Sequence, residues 1–571
     1  MSEADSIVEA GRAVHRQGAL DRAAEFYRKA LSLDPGHALA TAGLGVIALQ
    51  TGDVDQAATI LDKAARLAPG NPTIQNNLGN ALIAAGDLSR AEAAFDAAFS
   101  ADPSLIDALY NRAVARQRLR RRTEAEADYR TVLSHDPMRI DAAVNLAAVL
   151  REAEDPSTAI SVLEAALQVA PPMPDALMAL ASLYETVGRV DEAGETLDRL
   201  PSGPDKDPQV LLVRARIALR RGQAEAGLAA LDSIGVGAPA PALRQATYLK
   251  GLLLDRLGRY EDAFQAFSIA NAQARAGRSD ADKLARSYRD RIAVYRDTLP
   301  DVSVCAARLA KTPPQALPFD LVFFCGFPRS GTTLMEQILA AHPATLTTGE
   351  DSPLHRLYES TETSDDQGLP FGLLAGLTAD RRDALRVAFA DIVESQLGDC
   401  RGRTVIDKLP LNLVELGIVA LLFPEARILV AIRDPRDCVL SAFMQPFRLN
   451  EAMACLLTPQ DAAALYADVF DLYQAQKHAL PLTIAEYRYE DLIDDFEGTL
   501  HRVIDFLGLA WTDDLTRYRD RLAGKYISTP SYMAVSQSLN RRAIGRWRRY
   551  EPYLGTALDK LSAHVTGHGY D

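Results

Sequence analysis

Alanine returns every 34 residues through the first third of the chain, at Ala23, Ala57, Ala91, Ala125, Ala159 and Ala193, and proline keeps the same step at Pro35, Pro69, Pro103, Pro137 and Pro171. So strict a period restricts the fold more than any local propensity. Each unit must bury the same face against its neighbour, which predicts a stack of near-identical supersecondary units. Within a unit, two helical patterns flank a turn such as QTGD or AAGD. Gly11, Gly45 and Gly79 are placed to let the first helix approach the second, while Phe95, Tyr129 and Phe267 fill the space one turn beyond the matching alanine.

The pattern resembles the tetratricopeptide repeat. It is strict over residues 4–173, loosens from 174 to 243 where Gly203, Pro204 and GVGAPAPA disturb the step, and returns at 244–277 with Gly251, Ala263, Phe267 and Ala270. About eight repeats are expected over 1–277, the sixth and seventh degenerate. The resemblance implies a curved solenoid with a concave groove lined by the first helix of each unit. Asn77, Asn111 and Asn145 recur at one position on that helix. A carboxamide carries both donor and acceptor, so a ladder of them is able to pair with an extended peptide backbone of any sequence. A similar ladder occurs in the repeat domain of O-linked N-acetylglucosamine transferase. A peptide or protein partner in the groove is therefore expected; the plain alternative is polar surface residues copied by duplication.

A charged helical stretch, DKLARSYRDRIAVYRD, and the proline-rich KTPPQALP end the repeats, so 278–317 reads as a helical linker. From 318 to 571 the pattern changes to apolar runs of strand length, LVFFC, TVID, RILVAI and LTIAEY, separated by helical segments. Strands alternating with helices imply a parallel sheet covered on both faces, with ligands beyond the carboxyl ends of the strands. The expected fold is thus an all-α solenoid followed by an α/β domain of P-loop type.

The first of those strands runs into GFPRSGTT and then an amphipathic helix, LMEQIL. A strand–loop–helix of this kind aims backbone N–H groups and the positive end of a helix dipole at an anion. Gly326 and Gly331 are spaced as in a nucleotide phosphate loop, but Thr332 stands where the lysine would be and Arg329 supplies the cation from inside the loop, which disfavours ATP or GTP. The segment Pro328, Arg329, Ser330, Gly331, Thr332, Thr333 and the following AHP resemble the 5′-phosphosulfate loop of sulfotransferases, the tyrosylprotein branch in particular. Members transfer a sulfuryl group from 3′-phosphoadenosine 5′-phosphosulfate (PAPS) to a hydroxyl.

That resemblance extends to further motifs. Arg433 and Ser441 in RDPRDCVLS match the grip on the 3′-phosphate, a task suited to the planar guanidinium fork; an ion pair with Asp434 or Asp437 is the alternative for Arg433. Lys408 in DKLPLN matches the lysine that neutralises the transferring group. Tyr489 matches a nucleotide contact. Ser531, Asn540 and Arg546 keep the spacing of a final segment laid over the nucleotide. Arg546 stands where the family has lysine, Gln537 replaces another lysine and Gln445 an arginine. Glu350, as far beyond Arg329 as the family's catalytic glutamate, is assigned as general base, with Asp351 as its competitor. Arg329, Lys408 and Ser531 would stabilise the transferring group.

The net charge of −14 argues against a nucleic-acid binder. MSEADSIVEAGR has neither the cationic start nor the apolar run of a signal peptide, and no window reaches the ~20 apolar residues of a span, so a cytoplasmic protein is expected. Five cysteines without C-x-x-C spacing predict neither disulfides nor a metal site. The acceptor stays open among peptide, saccharide and lipid, with residues 359–378 as a candidate acceptor loop. A non-catalytic nucleotide-binding scaffold is the rival reading, and a P-loop kinase a weaker one.

Overall fold

The computed structural model describes residues 2–153, 155–201, 207–360, 377–521 and 541–571. The chain forms two compact units, one ending at residue 205 and the other taking almost all of the rest.

The first unit holds six helix pairs, from Glu3–Arg16 with Leu20–Leu33 to Pro174–Thr186 with Val190–Asp198. The sequence period has a direct steric cause. The six alanines of the 34-residue step are fully buried, and the glycines of the first helices lie against the large residue of the second. A Cβ on Gly79 would fall 2.4 Å from the Phe95 ring, and one on Gly45 would fall 2.6 Å from Leu61. The turn between helices needs a left-handed residue, met by Gly18, Gly52 and Gly86; the fourth repeat places Arg120 there, at φ 61°.

Two further pairs, Pro208–Arg220 with Ala224–Asp232 and Ala240–Arg256 with Tyr260–Ala276, belong to the second unit. The second helices of the sixth and seventh pairs have 9 residues, against 14 in the regular repeats. The segment read as a linker is the 29-residue helix Ala281–Leu309 with Pro300 inside it. Tyr288, Ile292, Tyr295, Leu299, Val302 and Cys305 on its inner face share one core with the sheet strands, so it is structural rather than a spacer.

The sheet has five parallel strands, β1 (Asp320–Gly326), β2 (Thr345–Thr347), β3 (Thr404–Lys408), β4 (Arg427–Ile432) and β5 (Thr483–Arg488), in the order β2-β3-β1-β4-β5. Alternate side chains feed two cores. Leu321, Phe323, Val405, Ile428 and Val430 lie on the face covered by Ala281–Leu309, while Val322, Phe324, Ile406, Leu429 and Ala431 meet the loop helix Thr332–Leu339 and the helix Phe496–Leu507. Both faces are therefore dry, and polar groups collect at the strand ends.

Candidate active site

Every strand delivers a residue singled out above at or just past its carboxyl end. β1 runs into Pro328–Thr333, Glu350 comes three residues after β2, Lys408 closes β3, and Arg433 and Tyr489 directly follow β4 and β5. These fall into two groups.

The first group is cationic. Arg329 adopts φ 74° and Gly331 φ 96°, so the loop doubles back before its helix starts at Thr332. Ser330, Thr332 and Thr333 are buried. The Tyr489 ring covers the loop so closely that a Cβ on Gly331 would lie 2.4 Å from it, which only glycine permits. Arg329 Nε donates to Ser441 Oγ at 3.1 Å, and Ser441 rides on the helix Pro435–Phe443. Arg433 donates to the Arg329 carbonyl at 2.8 Å and the Ala543 carbonyl at 2.5 Å, beneath the Tyr489 ring at 4.9 Å. These hydrogen bonds go to carbonyls; Asp434 is occupied by Arg436, and Asp437 accepts the backbone N–H groups of Gly545 and Trp547. Burial, followed by the neighbouring Arg433 charge, pushes Arg329 down to about 10. Arg433 is buried and Arg329 partly so, and like charges gathered this way favour an anion beside them.

The second group is built on Lys408, whose side chain is 0% exposed and whose Nζ lies 3.0 Å from both Glu336 Oε2 and Glu350 Oε1. Glu336 is buried, which raises its carboxyl above the usual range. Glu350 is the open end, its side chain 46% exposed. Its segment is tied down on both sides. Thr348 N–H donates to the Ile406 carbonyl, Gln396 donates to the Thr348 and Asp351 carbonyls, and Ser352 Oγ donates to Asp407 Oδ2 at 2.9 Å. Asn412 also donates to Asp407, whose carboxyl burial pushes up to about 7. Asp351 points away, 67% exposed and 3.8 Å from Arg356.

Sequence reasoning missed Glu336. The signal was its setting: the eight-residue helix Thr332–Leu339 is buried on nearly every side, so its one carboxylate had to find a cation. Arg546 is not an open cation, since its guanidinium pairs with Asp255 at 2.8 Å. Ser531, Gln537 and Asn540, and most of the 359–378 stretch, lie outside the described residues. In the repeats, Asn111 Nδ2 donates to Asn76 Oδ1 and Asn145 Nδ2 to the Tyr110 hydroxyl, so both amide donors tie one repeat to the preceding one. Asn77 is half-buried on the same helix face. Among the described residues no group of three or more His, Cys, Asp or Glu is placed to hold a metal, and no helix is long and apolar enough to cross a membrane.

Residues 321–513 match the sulfotransferase family. The C-terminal half carries a sulfotransferase domain. Tetratricopeptide repeat matches fall at 15–66, 48–116, 110–168 and 150–217. Protein-tyrosine sulfotransferase 2 of Gallus gallus is 28% identical over 258 residues, 43% of this chain and 67% of that protein. An uncharacterized protein of Aquifex aeolicus is 25% identical over 247 residues, 42% of this chain and 32% of its own. Omega-hydroxy-beta-dihydromenaquinone-9 sulfotransferase Stf3 of Mycobacterium bovis is 27% identical over 179 residues, 30% of this chain and 42% of its own. The chain therefore spans between a third and two-thirds of these curated relatives. The family match ends at residue 513, before Arg546.

Proposed function

We propose that this protein transfers a sulfuryl group from PAPS to a hydroxyl, and that the acceptor is a peptide or protein presented by the repeat groove. The observation that carries the reading is the division of one sheet edge into a guanidinium cradle and an adjoining lysine–carboxylate pair. The cradle suits the nucleotide. Ser330 Oγ and Arg433 Nε are buried without a partner, Gly331 leaves room for close approach, and the Arg433 charge lies against the loop. The 328–333 loop would hold the 5′-phosphosulfate; Arg433 and Ser441 would hold the 3′-phosphate, with Tyr489 over them. When bound, PAPS supplies an activated sulfuryl group.

The chain's own residues do the rest. Glu350, partly exposed and fixed through Thr348 and Ser352, takes the acceptor's hydroxyl proton on its carboxylate. Lys408 is held beside it and presents positive charge where the transferring oxygens gather it. Glu350 touches Lys408 and Asp351 does not, which favours Glu350 as the base. The Gallus relative's name supports a protein hydroxyl and the Mycobacterium relative's a lipid-like one. The repeats, recognised by family matches over 15–217, incline the reading to a peptide.

The test is Glu350→Gln. It should bind adenosine 3′,5′-bisphosphate like wild type while transfer of ³⁵S from labelled PAPS into lysate protein falls by roughly a hundredfold or more. Undiminished transfer removes Glu350 as base. Label running with lipid or sugar refutes the peptide acceptor, and no heat of binding for the bisphosphate to wild type refutes the nucleotide reading.

A further inference from the structure

The helix Ala240–Arg256 belongs by sequence to the repeats, yet its buried face meets the nucleotide cradle. Leu254 shares a core with Leu440, Phe443 and Met444 of the Ser441 helix and with Trp547 and Tyr550. From the paired helix Tyr260–Ala276, Phe264 lies 5.1 Å from the Phe443 ring, and Asn271 Nδ2 donates to the Phe443 carbonyl at 2.9 Å, closing the end of that helix. The last repeat thereby fixes the element that carries Ser441.

One polar group on Ala240–Arg256 goes further than packing. Asp255 receives Arg546 at 2.8 Å on one oxygen and the Tyr550 hydroxyl at 2.7 Å on the other. Asp437 anchors the same segment by accepting from Gly545 and Trp547, and Arg433 by donating to Ala543. The Arg546 segment is therefore clamped from two sides, and Arg433, which donates to both the Arg329 and the Ala543 carbonyls, ties it to the loop.

We propose that the last helical repeat is a wall of the nucleotide site: Asp255 is the positioning residue that holds Arg546 against Arg433 and the Ser441 helix, where Arg546 adds a cation to the grip on the 3′-phosphate. The inference rests on the nucleotide reading above. A carboxylate gripping one side of a guanidinium leaves its remaining N–H donors aimed at the ligand, and the ordering it imposes is then not required on binding.

Calorimetry with adenosine 3′,5′-bisphosphate and adenosine 5′-monophosphate on the full chain tests it. Asp255→Asn should weaken the bisphosphate by roughly tenfold, about 1.4 kcal/mol, and leave the monophosphate within about twofold. Tyr550→Phe, which removes only the other partner of Asp255, should change neither. In an Arg546→Gln background Asp255→Asn should add nothing, because it acts through Arg546. Arg546→Gln by itself should weaken the bisphosphate alone, to the same degree, and decides the matter should Asp255→Asn fail to fold. Equal losses for both nucleotides, or no loss, overturn the inference while leaving the wild-type nucleotide site intact. A wild type that binds neither overturns both readings.

Discussion

Lys408 and Glu336 are the most consequential pair in the second unit. Lys408 Nζ is out of solvent between a buried carboxylate and a partly exposed one, each at 3.0 Å. Replacing Lys408 by methionine keeps most of the volume and removes the charge, leaving Glu336 buried. Breaking a buried pair from one side costs about 3–5 kcal/mol. Replacing both members with apolar residues of similar size is often neutral, so Lys408→Met with Glu336→Leu should lie within about 2 kcal/mol of wild type. The coupling between the two substitutions is then at least about 2 kcal/mol.

The cost also has a sign in pH. Burial already raises the Glu336 carboxyl, opposed by Lys408, and removing the lysine raises it further. A carboxyl raised on folding adds stability below its unfolded value, about 4.3, and that is lost as pH climbs through the folded value. Lys408→Met should therefore be less damaging at pH 5 than at pH 8. Both tryptophans of the chain, Trp511 and Trp547, lie in the second unit, so urea titrations followed by tryptophan fluorescence report on it selectively. Single substitutions costing under about 1 kcal/mol, or a double variant whose cost is the sum of the singles, would refute a buried coupled pair. The double variant should fold and yet fail to transfer sulfuryl, separating Lys408's structural role from its chemical one.

Two other outcomes follow from backbone geometry. Gly331→Ala meets both a φ of 96° and the Tyr489 ring at 2.4 Å, so bisphosphate binding should fall at least tenfold by calorimetry, and unchanged affinity would mean the loop does not seat the nucleotide. Arg120→Gly relieves an exposed residue held at φ 61° where neighbouring repeats use glycine; a gain of about 1 kcal/mol, seen as a higher Tm of residues 1–205 by circular dichroism, is expected, and a lower Tm would sink the strain argument.

The sequence was most legible where one residue type answers one local demand. The 34-residue step reports a glycine under a large side chain, and β1, β3 and β4 announce themselves as apolar runs because both sheet faces are covered there, while the edge strand β5 is only partly buried. β2 has only three residues, two of them threonine, and no such run. The helix Ala281–Leu309 crosses Pro300 because Leu299, Val302, Cys305 and Leu309 bury on one face, a tertiary gain that outweighs a missing hydrogen bond. Strand-end residues could be named one by one because parallel α/β sheets bring their carboxyl ends to a common edge. Which groups pair there is a different matter. Glu336 chooses Lys408, and Asp255 reaches Tyr550 across 295 positions, through contacts that no period encodes. The last repeat shows the consequence. Its glycine, alanine and phenylalanine positions satisfy the repeat pattern in full, while Asn271 and Asp255, at positions the pattern leaves free, reach the sulfotransferase domain. Duplication fixes how a unit folds and leaves the remaining positions to adapt to whatever each copy touches, so a functional residue in a repeat is best sought where the period is silent.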